Sequence, residues 1–302
     1  MSRALMRYRI THITRYTSGD PVSVGQNQAW LRPRVCDHQQ VLRYRLKIDP
    51  PPSVQTERND AFGNPLASFA FNEGYRQLTV TARGTVEVLP RPEIDPERTM
   101  DWETQAGFVA WPATADDREA LQFRFESPRI PLSPALREFA EPSFPAGRPV
   151  LAGALDLTAR IYKEFEYKPQ STTVNTAVSD VLKQRKGVCQ DFAHLQIAAL
   201  RSIGLAARYV SGYLRTTPPP GKPRLVGADA THAWLAVYCG PAGWVDLDPT
   251  NNVIPGTDHI TLAWGRDYSD VPPLKGVFIG GGEMRLEVSV DVEPLEDAET
   301  GV

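Results

Sequence analysis

Three cysteines in 302 residues, Cys36, Cys189 and Cys239, are too few and too odd in number for a disulfide framework. Their wide spacing also excludes a compact thiolate zinc site. A reducing compartment suits such a chain and would keep a nucleophilic thiol free, so a cytoplasmic location is expected. Charge of one sign is equally scarce. A formal net charge of −3 lacks the basic excess that nucleic acid or an anionic membrane attracts, and neither is expected as a partner. No apolar run approaches the ~20 residues that span a bilayer. The opening M-S-R-A-L-M-R-Y-R-I-T-H-I-T-R-Y has no apolar core of a secretory leader, so no signal peptide is expected. There is no internal repeat and no low-complexity tract. Gly280-Gly281-Gly282 lacks the strand–glycine–helix context of a phosphate loop and reads as a turn.

Proline, by contrast, is plentiful at 27 residues, and its clusters at 50–52, 90–96, 128–149 and 218–223 punctuate the chain. They predict four regions: a β-sandwich over 1–92, a proline-rich helical linker over 93–149, a catalytic core over 150–272, and a C-terminal strand and tail over 273–302. In the first, Tyr8, Ile10, His12 and Thr14 alternate with Arg9, Thr11, Ile13 and Arg15. Further strands are expected over 28–34, 41–48, 66–71 and 77–89, with turns at 18–21 and 60–65. His12, Tyr16 and Asp60 are read there as strand packing and turn chemistry. In the linker, short helices are expected near 101–108, 116–123 and 133–139, and Trp102 and Trp111 read as packing aromatics.

The core region alternates helix and strand. Helices are predicted over 150–165, 176–186 and 189–203, the second ended by Gly187. The third is apolar nearly all round (Phe192, Ala193, Leu195, Ile197, Ala198), which predicts a central, buried element. Strands are predicted over 206–213, 232–238 and 243–248, and a proline-rich loop over 215–228 on the side of the site. The strand over 285–292 adds to a sheet edge, and the acidic tail after Leu295 is expected to fray.

Cys189 stands at the start of the buried helix, in G-V-C-Q-D-F-A-H-L at 187–195. A cysteine attacks a carbonyl as its thiolate, which a helix N-terminus and an imidazolium both favour. The same first-turn N–H groups can hold an oxyanion. His232 opens the strand H-A-W-L-A-V-Y. If a tight Gly240–Gly243 turn joins that strand to the next, Asp248 comes back beside His232 and can fix its tautomer. Asp246 shares a face with Asp248 by the period of a strand, so spacing leaves both available for that role. No calcium-loop spacing is present among Asp246, Asp248 and Asp258, and a triad of this kind needs neither metal nor cofactor. His194, Trp244 and His259 read as packing residues near the site.

These segments resemble the transglutaminase-like superfamily, whose core carries G-x-C-x-D-x-A at a helix start, H-A-W on a strand and G-W-x-x-x-D-P-T at a strand end; here they stand at 187–193, 232–234 and 243–250. L-R-S-I-G-L-A-A-R-Y-V-S-G-Y at 200–213 also matches. Y-R-I-T-H-I-T-R-Y at 8–16, L-R-P-R at 31–34 and D-A-F-G-N at 60–64 resemble the N-terminal region that precedes bacterial transglutaminase-like domains. The resemblance implies an α+β fold, with a papain-like core whose cysteine-bearing helix packs on an antiparallel sheet. It implies Cys189 as nucleophile, His232 as general base and acid, and Asp248 as the orienting residue, with Tyr167, Gln190, Asp191 and Trp234 as candidates for the oxyanion hole or a supporting shell. A peptide or protein substrate is expected, cleaved at an amide, peptide or isopeptide bond. Amine transfer to protein glutamine and non-catalytic peptide binding are the alternatives, and a homodimer is a possible assembly.

Overall fold

The computed structural model describes residues 5–216 and 230–295. The loop expected over 215–228 lies, from residue 217 on, outside the described residues, as does the tail expected after Leu295.

The strand-rich region is organised by one very long strand, β1 (Met6–Ala29). After it come β2 (Gln39–Asp49), β3 (Val54–Asn59), β4 (Pro65–Phe71) and β5 (Tyr75–Val88). The alternation expected at Tyr8–Thr14 continues through a turn-like stretch at Ser18–Pro21, which bends β1 instead of ending it. The pairing with β5 slips there, between Thr17 and Val22. The first half of β1 therefore pairs with β5 and the second half with β4. The two halves fold over one core. Leu78, Val80 and Ala82 of β5 and Ile48 of β2 meet Phe69 and Phe71 of β4 in a single buried cluster. The result is a sandwich built from one curled antiparallel sheet.

Helices fill the next stretch: α1 (Trp102–Ala110), α2 (Ala115–Leu121), α3 (Pro134–Ala140) and α4 (Val150–Glu164). Ser133 caps α3, its hydroxyl accepting from the Leu136 N–H at 3.3 Å ahead of Pro134, as Ser-Pro predicts. Trp102 packs edge-on against Phe144. Trp111 does not pack: at the C-terminus of α1 it is 85% exposed.

The two-residue strand β6 (Glu166–Tyr167), α5 (Val178–Gln184), β7 (Lys186–Gly187) and α6 (Cys189–Ser202) follow. The left-handed residue closing α5 is Arg185 (φ 53°), not Gly187, and its guanidinium pairs with Glu164 at 2.7 Å. Then come β8 (Ala207–Leu214), β9 (Ala230–Tyr238), β10 (Trp244–Leu247) and β11 (His259–Gly265), which hydrogen-bond in the order β10-β9-β8-β11. Residues 191–201 of α6 are all buried. The helix fills the space between this sheet and α3, α4 and α5, in a core that includes Leu157, Val181, Ile197, Leu235 and Leu247. A helix apolar nearly all round suits that central place.

The last two strands, β12 (Leu274–Gly280) and β13 (Met284–Leu295), return to the first sheet and pair end to end along β1, β13 with its first half and β12 with its second. Gly280, Gly281 and Gly282 all have positive φ and make the turn between them. The two sheets are clasped by the motifs of the N-terminal region. Arg34 lies 3.6 Å above the Trp264 ring of β11 and donates to the Phe62 carbonyl and Asn64 Oδ1, each at 2.8 Å. Asn64 donates to the Trp264 carbonyl and accepts from its N–H. Asp60 holds this loop by accepting from Trp30 Nε1 and from the N–H groups of Phe62 and Asn64. Three of the four side-chain bonds of Asp60, from the Phe62 and Asn64 N–H groups and from Asn64 Nδ2, are turn chemistry; the indole is a tertiary partner.

Candidate active site

The start of α6 is set by a carboxylate. Asp191 Oδ2 accepts the Val188 N–H at 2.8 Å and the Thr172 hydroxyl at 2.6 Å. It lies so close to Gly187 that a Cβ there would sit 2.8–2.9 Å from it. The glycine and aspartate of G-x-C-x-D thus form one device: the side chain folds back over a residue that has none. Buried at the foot of the helix, Asp191 has its pKa raised by burial, against the pull of those two bonds. It ties the entering chain so that Cys189 is the first helical residue, beside N–H groups that no helix carbonyl can accept. Parallel pairing of Tyr167 with Gly187 brings β6 alongside.

His232 stands on β9, directly opposite Gly212 of β8. A Cβ on Gly212 would fall 2.3 Å from the Trp234 ring and from the Ile260 carbonyl. Only glycine lets Trp234 lie flat under the neighbouring strand, where it supports His232 (ring centroids 6.0 Å apart, interplanar angle 33°). The turn at Gly240–Gly243, both with positive φ, folds β10 back on β9, with Asp246 opposite Ala236 and Leu247 opposite Leu235.

The next residue, Asp248, is fully buried and collects five donors. Its Oδ1 accepts the N–H groups of Thr250 and Asn251 at 2.9 and 3.3 Å. Its Oδ2 accepts His232 Nε2 at 2.7 Å, Asn251 Nδ2 at 2.7 Å and His259 Nε2 at 3.1 Å. Burial alone would raise its pKa; these bonds hold it well below the usual carboxylate range. With Nε2 on Asp248, His232 has Nδ1 left over, and the neighbouring Cys189 is one of the groups that favour its charged form. Burial opposes a charge on His232, but Asp248 and Cys189 outweigh it and push its pKa up to about 10.

Asp246 is engaged elsewhere. It accepts Trp234 Nε1 at 2.8 Å and pairs with Arg91 at 2.6 Å. Of the two aspartates left open by spacing, Asp248 is the one on His232. The ring nitrogens of His232 and His259 and the Asp248 carboxylate lie within 4.8 Å of one another, close enough to converge on a metal ion. Both histidines already bond to the same carboxylate oxygen through Nε2, while His259 Nδ1 is buried with no hydrogen-bond partner among the described residues.

Cys189, Gln190 and His232 line a cleft of about 290 Å³. Tyr209, Tyr268 and Ser211 line it on the side of the β10-β9-β8-β11 sheet, and His12, Thr14, Tyr16, Leu286 and Val288 line the opposite side. Among the described lining residues there is neither Tyr167 nor the buried Asp191 and Trp234. Tyr167 is half exposed, its ring 6.5 Å from that of Phe192. His194 faces the core, accepting the Tyr268 N–H at 3.2 Å and lying against Tyr209.

Sequence reasoning missed three contributions. His259 is a hydrogen-bond donor to Asp248, not only a packing ring; Asn251 bridges to the same oxygen; and His12, Thr14 and Tyr16 face the cleft. The Asn following D-P-T was a usable sign for Asn251, since an aspartate at a turn invites donors just after it. No local signal marked the others.

The family description "Bacterial transglutaminase-like N-terminal region" matches residues 8–87, and "Transglutaminase-like superfamily" matches residues 138–249. An uncharacterized protein of Mycobacterium tuberculosis is 42% identical over 298 residues, covering 96% of this chain and 93% of its own length. A protein-glutamine gamma-glutamyltransferase of Pseudomonas aeruginosa is 30% identical over 147 residues, covering 43% of this chain and 22% of that protein. A solved structure from Cytophaga hutchinsonii, given the provisional name of a cysteine protease, superposes with a TM-score of 0.76 at 23% identity, over 99% of this chain and 94% of that one; it shows a shared fold. With both family regions matched in order, the chain belongs to the transglutaminase-like superfamily.

Proposed function

We propose that the protein is a cysteine-dependent acyl-transfer enzyme acting on amide, peptide or isopeptide bonds, with Cys189, His232 and Asp248 as its triad. One observation carries the reading: Cys189, the first residue of a buried helix, lines the same cleft as His232, whose Nε2 is held by Asp248 at 2.7 Å.

In this reading the thiol proton rests on His232 and the Cys189 sulfur attacks the substrate carbonyl. The developing oxyanion takes hydrogen bonds from first-turn N–H groups of α6, with Tyr167 and Gln190 as side-chain candidates to assist. His232 passes the proton to the leaving amine, the C–N bond breaks, and a thioester on Cys189 remains. Water then attacks, yields its proton to His232, and releases the acid. Asp248 keeps the imidazole in the required tautomer and stabilises its charge. An incoming amine would give transamidation by the same steps. Hydrolysis is favoured by the setting of Cys189, half-buried in a cleft rather than enclosed.

Cys36, Cys189 and Cys239 are all free thiols, which suits a reducing, cytoplasmic compartment. Among the described residues no helix is long and apolar enough to cross a membrane. The test is release of product from dansyl-labelled peptide and isopeptide amides, with and without a primary amine. The proposal expects turnover abolished by Cys189→Ser and His232→Ala; turnover surviving Cys189→Ser contradicts it.

A further inference from the structure

The cleft is the open end of a wedge between the two sheets. Across β1 and β13, Ile10 faces Val292, His12 faces Val290, Thr14 faces Val288 and Tyr16 faces Leu286. All eight side chains point to one face of that pair, by the period of a strand. At one end Ile10, Val290 and Val292 are buried against Tyr213, Ile260 and Leu262 of the catalytic sheet. Toward the other end the sheets part. Val288 and Leu286 keep the same parity but are 51% and 54% exposed, and with Tyr16 and Leu274 they line the cleft opposite Cys189. Apolar side chains that leave a core and line a catalytic cleft are a surface waiting for cover. Among the described residues lining the cleft there is no Asp, Glu, Lys or Arg. A charged substrate group lying against this wall would give up hydration without a carboxylate, ammonium or guanidinium partner among the described lining residues.

We propose that this β1–β13 wall is the specificity surface of the enzyme, selecting a peptide whose side chain beside the reactive carbonyl is uncharged and apolar. The inference rests on the acyl-transfer reading and adds its substrate class. The strand-rich region then does more than brace the core: it supplies the half of the binding site that faces the nucleophile. A cleft of about 290 Å³ stands at the small end of ligand pockets, typically ~300–1,000 Å³, and suits one or two residues of chain.

The experiment uses three chloroacetamides matched in their reactivity toward glutathione, bearing an isobutyl, a carboxyethyl or an aminobutyl group. Their rates of alkylation of Cys189 are read by mass spectrometry, each divided by the iodoacetamide rate of the same protein. The wall predicts that the isobutyl probe outpaces both charged probes by roughly 10-fold or more, the scale of discrimination an apolar pocket achieves. It predicts that Leu286→Asp shrinks that preference and favours the aminobutyl probe, whereas Leu286→Met keeps it. Buried Cys239 must stay unlabelled throughout, which reports an intact fold. Fast iodoacetamide labelling with equal rates for the three probes, or a preference untouched by Leu286→Asp, overturns the wall alone. Slow iodoacetamide labelling of Cys189, no faster than Cys36, overturns the acyl-transfer reading and the wall with it.

Discussion

His232 and His259 donate to the same oxygen of Asp248, at 2.7 and 3.1 Å, with their rings 6.0 Å apart. The carboxylate that orients the candidate base is thereby itself oriented, from β11, by a second imidazole. A hydrogen bond to a charged group contributes about 1.5–3 kcal/mol. His259→Leu is therefore expected to slow Cys189 alkylation by roughly 10-fold, with His259→Gln restoring most of the rate because its amide can donate. A lowered melting temperature with an unchanged alkylation rate would assign His259 to packing alone.

Gly212 sits opposite His232 with the Trp234 ring pressed against it. Gly212→Ala forces that indole or the Ile260 carbonyl to move. Overpacking of this kind costs about 1–3 kcal/mol, so a lower urea midpoint is expected, together with a weakened His232–Asp248 bond. A variant as stable as the parent would show that Trp234 has room the structure does not give it.

The Arg34 clasp predicts that the two sheets separate when it is cut. Arg34 donates twice and stacks on Trp264, and Arg34→Ala leaves Asn64 Oδ1 and the Phe62 carbonyl short of a donor. A loss of about 2–4 kcal/mol is expected, with Arg34→Lys recovering only part of it because an ammonium lacks the planar fork. Chemical denaturation measures the loss; full recovery by lysine would reduce the clasp to its charge.

Acid should destabilise the fold well before carboxylates protonate. Burial pushes the pKa of His12 and of His194 down to about 4. A histidine held neutral in the folded state binds its proton more readily when unfolded, so stability falls as pH drops from about 6.5 toward 4. His232 works the other way. With its pKa raised to about 10, its contribution is full below about 6.5 and is lost as pH rises toward 10. Melting temperature is expected to peak near neutrality, and His12→Gln is expected to flatten the acid limb. An acid limb unchanged in that variant would contradict the neutral, buried state of His12.

The elements of the candidate site were legible because each carries a local signal. The largely apolar run after Cys189 predicted a central helix, and the Gly240–Gly243 turn fixed how β9 and β10 return on each other. The spacing of Asp246 and Asp248 could not choose between them; Asp246 is claimed by Arg91, from distant chain, and by Trp234, from the paired strand β9. His259 arrives from β11 after an irregular turn, with no periodicity to aim it at Asp248. His12, Thr14 and Tyr16 alternate just as core residues do. That they line a cleft follows from where two sheets diverge, a tertiary fact that strand alternation does not encode. Trp111 errs the other way, an aromatic expected to pack that stands exposed.

The most direct test of the account is the pH dependence of iodoacetamide labelling at Cys189, read site by site, in the wild type and in His232→Ala. Cys36 and Cys239 are internal references, their thiols raised by burial, Cys239 up to about 12. The account predicts that at pH 6 Cys189 is labelled faster than both by roughly 10-fold or more, and that this advantage disappears in the variant. Equal, slow labelling of Cys189 in both proteins would contradict a working thiolate–imidazole pair.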